Sequence, residues 1–289
     1  MVDEIKGKSS MSRERLSKLL REGGEINTVA QVAQILNLSN DDAAKNLARW
    51  SKQGWLTRIK RGVYVAVPLD AQTTDQAIED AWILIPELFA PAYVGGWSAA
   101  EYWDLTEQIF RDICVFTSRP VNQRNQTMHS IPFIVTHSPD ENHFGTKPVW
   151  KKEKKILVSD PSKTIVDMLS TPWVGGGIQH VTDCLQQYFK SEHFNEGLLI
   201  DYAIKLGNGA VFKRLGYLSS QMLGDLHPLT LACQTQLSKG NAQLDPANKS
   251  GRLVTKWHLF VPEGLQIEGR SAFLPNAKPT LKGSSFFKS

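Results

Sequence analysis

The chain has 289 residues, of which 41% are hydrophobic and 21% charged, and it carries a net charge of +4. This is enough apolar material for a sizeable core, a length that suggests two domains, and a composition that excludes a disordered or fibrous chain. No run of about 18 apolar residues is present to span a membrane, residues 1–10 lack a signal peptide's apolar stretch, and Cys114, Cys184 and Cys233 are too few and too far apart for a disulfide framework or a zinc site. The expectation is a cytoplasmic protein, without cofactor or metal, whose three cysteines are small buried hydrophobes.

The positive charge is concentrated at one end. Residues 1–67 hold 12 Lys or Arg against 7 Asp or Glu, whereas the remaining 222 residues hold 21 against 22. A basic excess confined to a short segment is the footprint of contact with phosphates.

Residues 1–10 are polar and read as a flexible N-terminus. From Arg13 to Glu22, Leu16, Leu19 and Leu20 recur at helical spacing before Gly23 and Gly24 stop the helix. Thr28 can cap a second helix with Val29, Val32, Ala33, Ile35 and Leu36 on its apolar face, ended by Asn37 in the left-handed region. Ser39 and Asp42 form a capping-box variant that opens a third helix, with Ala43, Ala44, Leu47 and Trp50 inward and Gly54 at its end. Two helices joined by a three-residue turn make a helix-turn-helix. Residues 55–59 and 63–67 are β-prone and flank Lys60, Arg61 and Gly62, so a basic-tipped hairpin follows as a wing.

Residues 11–67 thus predict a winged helix-turn-helix that binds double-stranded DNA. Its candidate contacts are Ser39, Asn40, Lys45, Asn46, Arg49 and Lys52 on the third helix, and Arg58, Lys60 and Arg61 on the wing. Asn and Arg can bond adenine and guanine edges bidentately, and Lys neutralises phosphate. Asp41 and Asp42 repel phosphate but stabilise the helix N-terminus.

Residues 68–75 read as a linker, residues 76–265 as a larger α/β (α+β) domain, and residues 266–289 as a flexible tail. Thr73 to Ile85 predicts a helix that Pro86 disrupts, and Pro91 to Gly96 a short strand and turn. Ser98 and Glu101 form a capping box, and residues 112–117, 131–136 and 149–158 are strand-like. Asp160 followed by Pro161 predicts a capped helix over 162–169. Helices are expected at about 178–189, 196–206 and 209–222, and a late strand at 257–261.

Four blocks in this part, Tyr93 to Glu107, Val158 to Leu169, Gly209 to Leu218, and Leu244 to Pro246 with Lys256 to His258, resemble the AbiEi antitoxins of type IV toxin–antitoxin systems. They follow the winged helix in the family's order and, with it, cover most of the chain from Leu16 to Val261. Trp97 and Trp103 depart from the pattern, which has smaller or His- or Leu-like residues there. The resemblance implies a repressor of its own operon at operator inverted repeats. It also implies a C-terminal domain that counteracts a nucleotidyltransferase toxin without a stable complex, with Asp167 and Arg214 as the residues of that function.

A rival pattern points to a metal-dependent nuclease. Asp140 after a strand, then Glu153 and Lys155 on a later one, have the spacing of two carboxylates that hold Mg²⁺ and a lysine that orients water. The plainer reading is a turn and a solvated basic strand. His129, His137 and His143 lie on a polar loop without metal-ligand spacing. Gly175, Gly176 and Gly177 lack the Lys-Ser/Thr of a phosphate loop, and no nucleophile–base pair is apparent, so no enzymatic activity is expected.

Overall fold

A computed structural model describes residues 2–68, 80–128 and 130–267. The chain folds as two compact units, residues 1–99 with 109–159 and residues 100–108 with 160–289. The winged helix and the strands that follow it therefore share a unit, where the sequence places the larger domain over 76–265. The linker expected at 68–75 lies, apart from Pro68, outside the described residues, as do most of the helix sought over 73–85 and all of the tail beyond Ile267.

The first unit opens with α1 (Val2–Glu22), β1 (Ile26–Thr28), α2 (Val29–Leu36), α3 (Asn40–Lys52), β2 (Leu56–Lys60) and β3 (Val63–Ala66). α1 begins at Val2 instead of Arg13, because residues 1–12 contain no proline and only one glycine to interrupt the helix. The caps are as expected. Thr28 and Gln31 form a reciprocal capping box, Asn37 adopts φ 51°, and the Ser39 hydroxyl accepts from the Asp42 amide. Leu16, Leu19, Val32, Ala43, Leu47, Trp50, Leu56 and Tyr64 form a core that belongs to this segment alone. β1 is not foreseen, since three residues are too few to show alternation; it appears through antiparallel pairing with β3, giving the order β1-β3-β2.

The unit continues with a 3-10 turn (Ala81–Leu84), α4 (Ile85–Phe89), β4 (Ala92–Val94) and the start of α5 (Gly96–Tyr102). It then adds β5 (Ile113–Thr117), β6 (Asn125–Met128), β7 (Ile131–His137), β8 (Thr146–Lys151) and β9 (Lys154–Ser159). The strands form a six-stranded mixed sheet in the order β6-β7-β5-β4-β9-β8, with β5 parallel to β7 and β4 parallel to β9.

Three local expectations are corrected here. Pro86 opens α4 instead of breaking a helix, because proline is tolerated in a first turn. Ser98 lies inside α5, and its hydroxyl accepts from the Cys114 amide at 2.9 Å, tying the helix to β5 instead of capping it. The strand expected over 149–158 is two strands of a hairpin, turned at Lys152 with φ 52°.

The second unit holds α6 (Pro161–Ser170), α7 (Ile178–Lys190), α8 (Glu196–Leu206), α9 (Gly209–Met222) and α10 (Pro228–Thr235). A small sheet of β10 (Ala242–Gln243), β11 (Arg252–Val254) and β12 (Leu259–Val261) completes it, in the order β10-β12-β11. The core centres on α6, α7 and α9, with Trp257 1% exposed. Gly216 on α9 lies against that indole, so a Cβ there would overlap the Trp257 ring. Cys114, Cys184 and Cys233 are all buried and free, as expected. Burial pushes the Cys184 and Cys233 thiols up to about 12. No helix of the described residues is long and apolar enough to cross a membrane.

Candidate nucleic-acid interface

α3 is built to hold a defined face outward. Ala43, Leu47 and Trp50 anchor it inward, and the Ser39 cap with Asp41 and Asp42 in the first turn stabilises its N-terminus. Asn40, Lys45, Arg49 and Lys52 are exposed. Ser39 is exposed too, but its hydroxyl is engaged, donating to the Asp42 carboxylate at 2.9 Å as well as accepting from the Asp42 amide.

Asn46 does not fulfil its expected role as a base reader. It is only 7% exposed, and its amide group donates to the Asp42 carbonyl at 2.8 Å while its Oδ1 accepts from the Arg49 guanidinium. It positions Arg49: a guanidinium with one donor already fixed loses less side-chain entropy when it meets a partner.

The wing divides in the same way. Arg58 and Arg61 are exposed, and Gly62 supplies φ 81° at the tip. Lys60, expected at the tip, is half-buried, and its ammonium donates to the Glu87 carbonyl at 2.9 Å and the Leu88 carbonyl at 3.0 Å. It serves the C-terminal turn of α4, whose carbonyls attract a cation. Burial, and then the neighbouring Arg119, lower its pKa, against Glu87, which raises it. Further ion pairs join the same parts of the unit, Lys152 with Glu25 at 2.6 Å and Lys154 with Glu87 at 2.9 Å.

The two residues that the resemblance singles out lie in the interior of the second unit. Asp167 is 4% exposed and pairs one turn along α6 with Lys163, which is fully buried. Beside them Asp160 caps α6 and accepts from Tyr202 at 2.9 Å, and Ser162 bonds the Tyr188 hydroxyl at 2.8 Å. Arg214, also 4% exposed, donates to the carbonyls of Leu169 at 2.7 Å, Ser170 at 3.2 Å and Gln243 at 3.0 and 2.9 Å. Burial lowers its pKa to about 10, against the nearby Asp245, which leaves it cationic at neutral pH. Both residues hold the interior together.

Trp97, one of the two departures from the family pattern, donates through Nε1 to the Asp112 carbonyl at 2.6 Å and stacks on Phe110. The nuclease constellation is not assembled. Glu153 follows Lys152 at the β8–β9 turn, while Asp140 lies in a 3-10 turn that precedes the opposite end of β8. Lys155 is exposed on β9, opposite Trp150. The described residues contain no group of three or more His, Cys, Asp or Glu fit for a metal ion. His129 lies outside the described residues, His137 bonds the Arg119 carbonyl, and His143 bonds the Ser138 carbonyl.

The chain shares its fold with the RV2827C protein from Mycobacterium tuberculosis, whose crystal structure superposes with a TM-score of 0.58 at 16% identity, over 87% of this chain and 91% of that one. No curated protein matches the sequence at comparable significance. Residues 14–67, the helices and wing described above, match the model of the family described as "Transcriptional regulator, AbiEi antitoxin", the same family that the sequence blocks resemble.

Proposed function

We propose that this chain is a transcriptional autorepressor and antitoxin of a type IV toxin–antitoxin system that acts in the cytoplasm in phage defence by abortive infection. α3 enters the major groove of operator inverted repeats, and the wing contacts the flanking backbone. Asn40 and Arg49 meet base edges, and Lys45, Lys52, Arg58 and Arg61 neutralise phosphates. The C-terminal half counteracts a nucleotidyltransferase toxin without a stable complex, and the chain itself performs no catalysis. The observation that carries the DNA-binding part is the outward face of α3, where Arg49 is held by Asn46 and flanked by exposed lysines, with Arg58 and Arg61 exposed on the adjoining wing.

The test is a gel shift of the DNA upstream of the chain's own gene, across a salt series. The wild-type chain is expected to bind, and Arg49→Ala alone to weaken specific binding by about 1–3 kcal/mol. The triple change Arg49→Ala, Arg58→Ala, Arg61→Ala should abolish the shift. Binding that survives the triple change unaltered would remove the winged helix from the interface.

A further inference from the structure

A groove of about 440 Å³ runs between α1 and α3, lined by Met11, Ser12 and Arg15 from α1, Leu38 from the turn, and Asp42, Lys45, Asn46 and Arg49 from α3. It lies beside the outward face of α3 but is walled on one side by a helix that precedes the helix-turn-helix. Three cations face one carboxylate. That carboxylate is occupied by the Ser39 hydroxyl at 2.9 Å and stands 3.8 Å from Lys45. Arg15 is half-buried, and no hydrogen bond or ion pair engages it among the described residues. Met11, 55% exposed, and Leu38 add apolar surface beside the charges.

A groove with cations on both walls and apolar side chains between them suits a sugar–phosphate chain, whose charges recur at every nucleotide and whose deoxyribose is largely apolar. Base edges fall to the outward face of α3, and the groove on its α1 side faces the strand that borders the major groove. We propose that this α1–α3 groove seats one strand of the DNA backbone, with Arg15 the contact to a phosphate and Lys45 facing it across the groove. The proposal rests on the DNA-binding reading and deepens it, by adding a backbone contact from outside the helix-turn-helix. Arg15 then carries affinity and no sequence preference.

The experiment measures binding of the full-length chain to two duplexes of equal length, the region upstream of its gene and a random sequence, by fluorescence anisotropy over a range of salt. Arg15→Ala is expected to weaken both duplexes by the same factor, to leave their ratio unchanged, and to lower the slope of log affinity against log salt by about 1. Ser12→Glu, which keeps Arg15 but sets a carboxylate one turn before it on the same face of α1, should weaken both duplexes as well. Circular dichroism checks that each variant is folded, and if Arg15→Ala is not, Arg15→Gln takes its place. Affinity and salt slope equal to wild type in the Arg15 variant and in Ser12→Glu would overturn the proposal, and so would a loss confined to the upstream duplex, which would make Arg15 a base reader. A wild-type chain that binds neither duplex would instead overturn the DNA-binding reading itself.

Discussion

Arg214 directs its hydrogen bonds to carbonyls at the end of α6 and in β10, two segments far apart in sequence. A guanidinium can serve both at once because its donors form a rigid fork. Truncation would leave those acceptors unmet in the interior, so Arg214→Ala is expected to lose about 3 kcal/mol of stability, measured from the urea midpoint. Any loss of toxin protection in that variant should then track loss of fold. Urea unfolding identical to wild type, together with lost protection, would return Arg214 to the role of a partner contact. A sequence does not reveal this distinction. Asp167 and Arg214 stand in family-like blocks, but a block kept for packing and a block kept for recognition look alike until burial is known. The same holds for Asn46 and Lys60, polar residues at positions that a helix or a hairpin tip usually exposes.

At the level of elements, parts with a local chemical signal are mostly the parts that sequence predicts, Ser98 excepted, whose hydroxyl serves the Cys114 amide. Caps at Thr28, Ser39 and Asp160 fall where the Ser/Thr/Asp patterns place them, and α8 and α9 match their expected bounds of 196–206 and 209–222. Elements defined by distant pairing do not announce themselves. β1 exists through β3, and the β8–β9 turn is made by Lys152, a residue with no turn preference of its own. The wing tests the point through its two adjacent cations. Lys60→Ala should lower the melting temperature, since two α4 carbonyls lose their donor, and it should leave the salt slope of DNA binding near wild type. Arg61→Ala should do the reverse, lowering the slope by about 1 with little change in melting. Matching effects on the salt slope from the two variants would place Lys60 on the DNA after all.

For the whole molecule, the division of the chain changes how DNA binding and toxin protection are to be separated. The winged helix has its own core, yet it belongs to one compact unit with the six-stranded sheet. The Lys60 bonds to α4 and the Glu25–Lys152 pair connect the two. Removing residues 1–68 would therefore strip α4 of a cation and leave Lys152 without its carboxylate. A failure of that fragment to protect against the toxin would report damage as readily as division of labour. The triple variant Arg49→Ala, Arg58→Ala, Arg61→Ala avoids this, because all three side chains are exposed and the connections to α4 and to Lys152 stay intact. Surface substitutions of this kind are expected to change stability by no more than about 0.5 kcal/mol each. If repression and protection are separate tasks, this variant should lose repression of the operon, read from a promoter fusion, and still rescue growth fully against the cognate toxin when supplied from an independent promoter. Rescue that falls in step with repression, in a variant whose melting temperature equals wild type, would show that protection runs through the DNA-binding face and that the two tasks share one site.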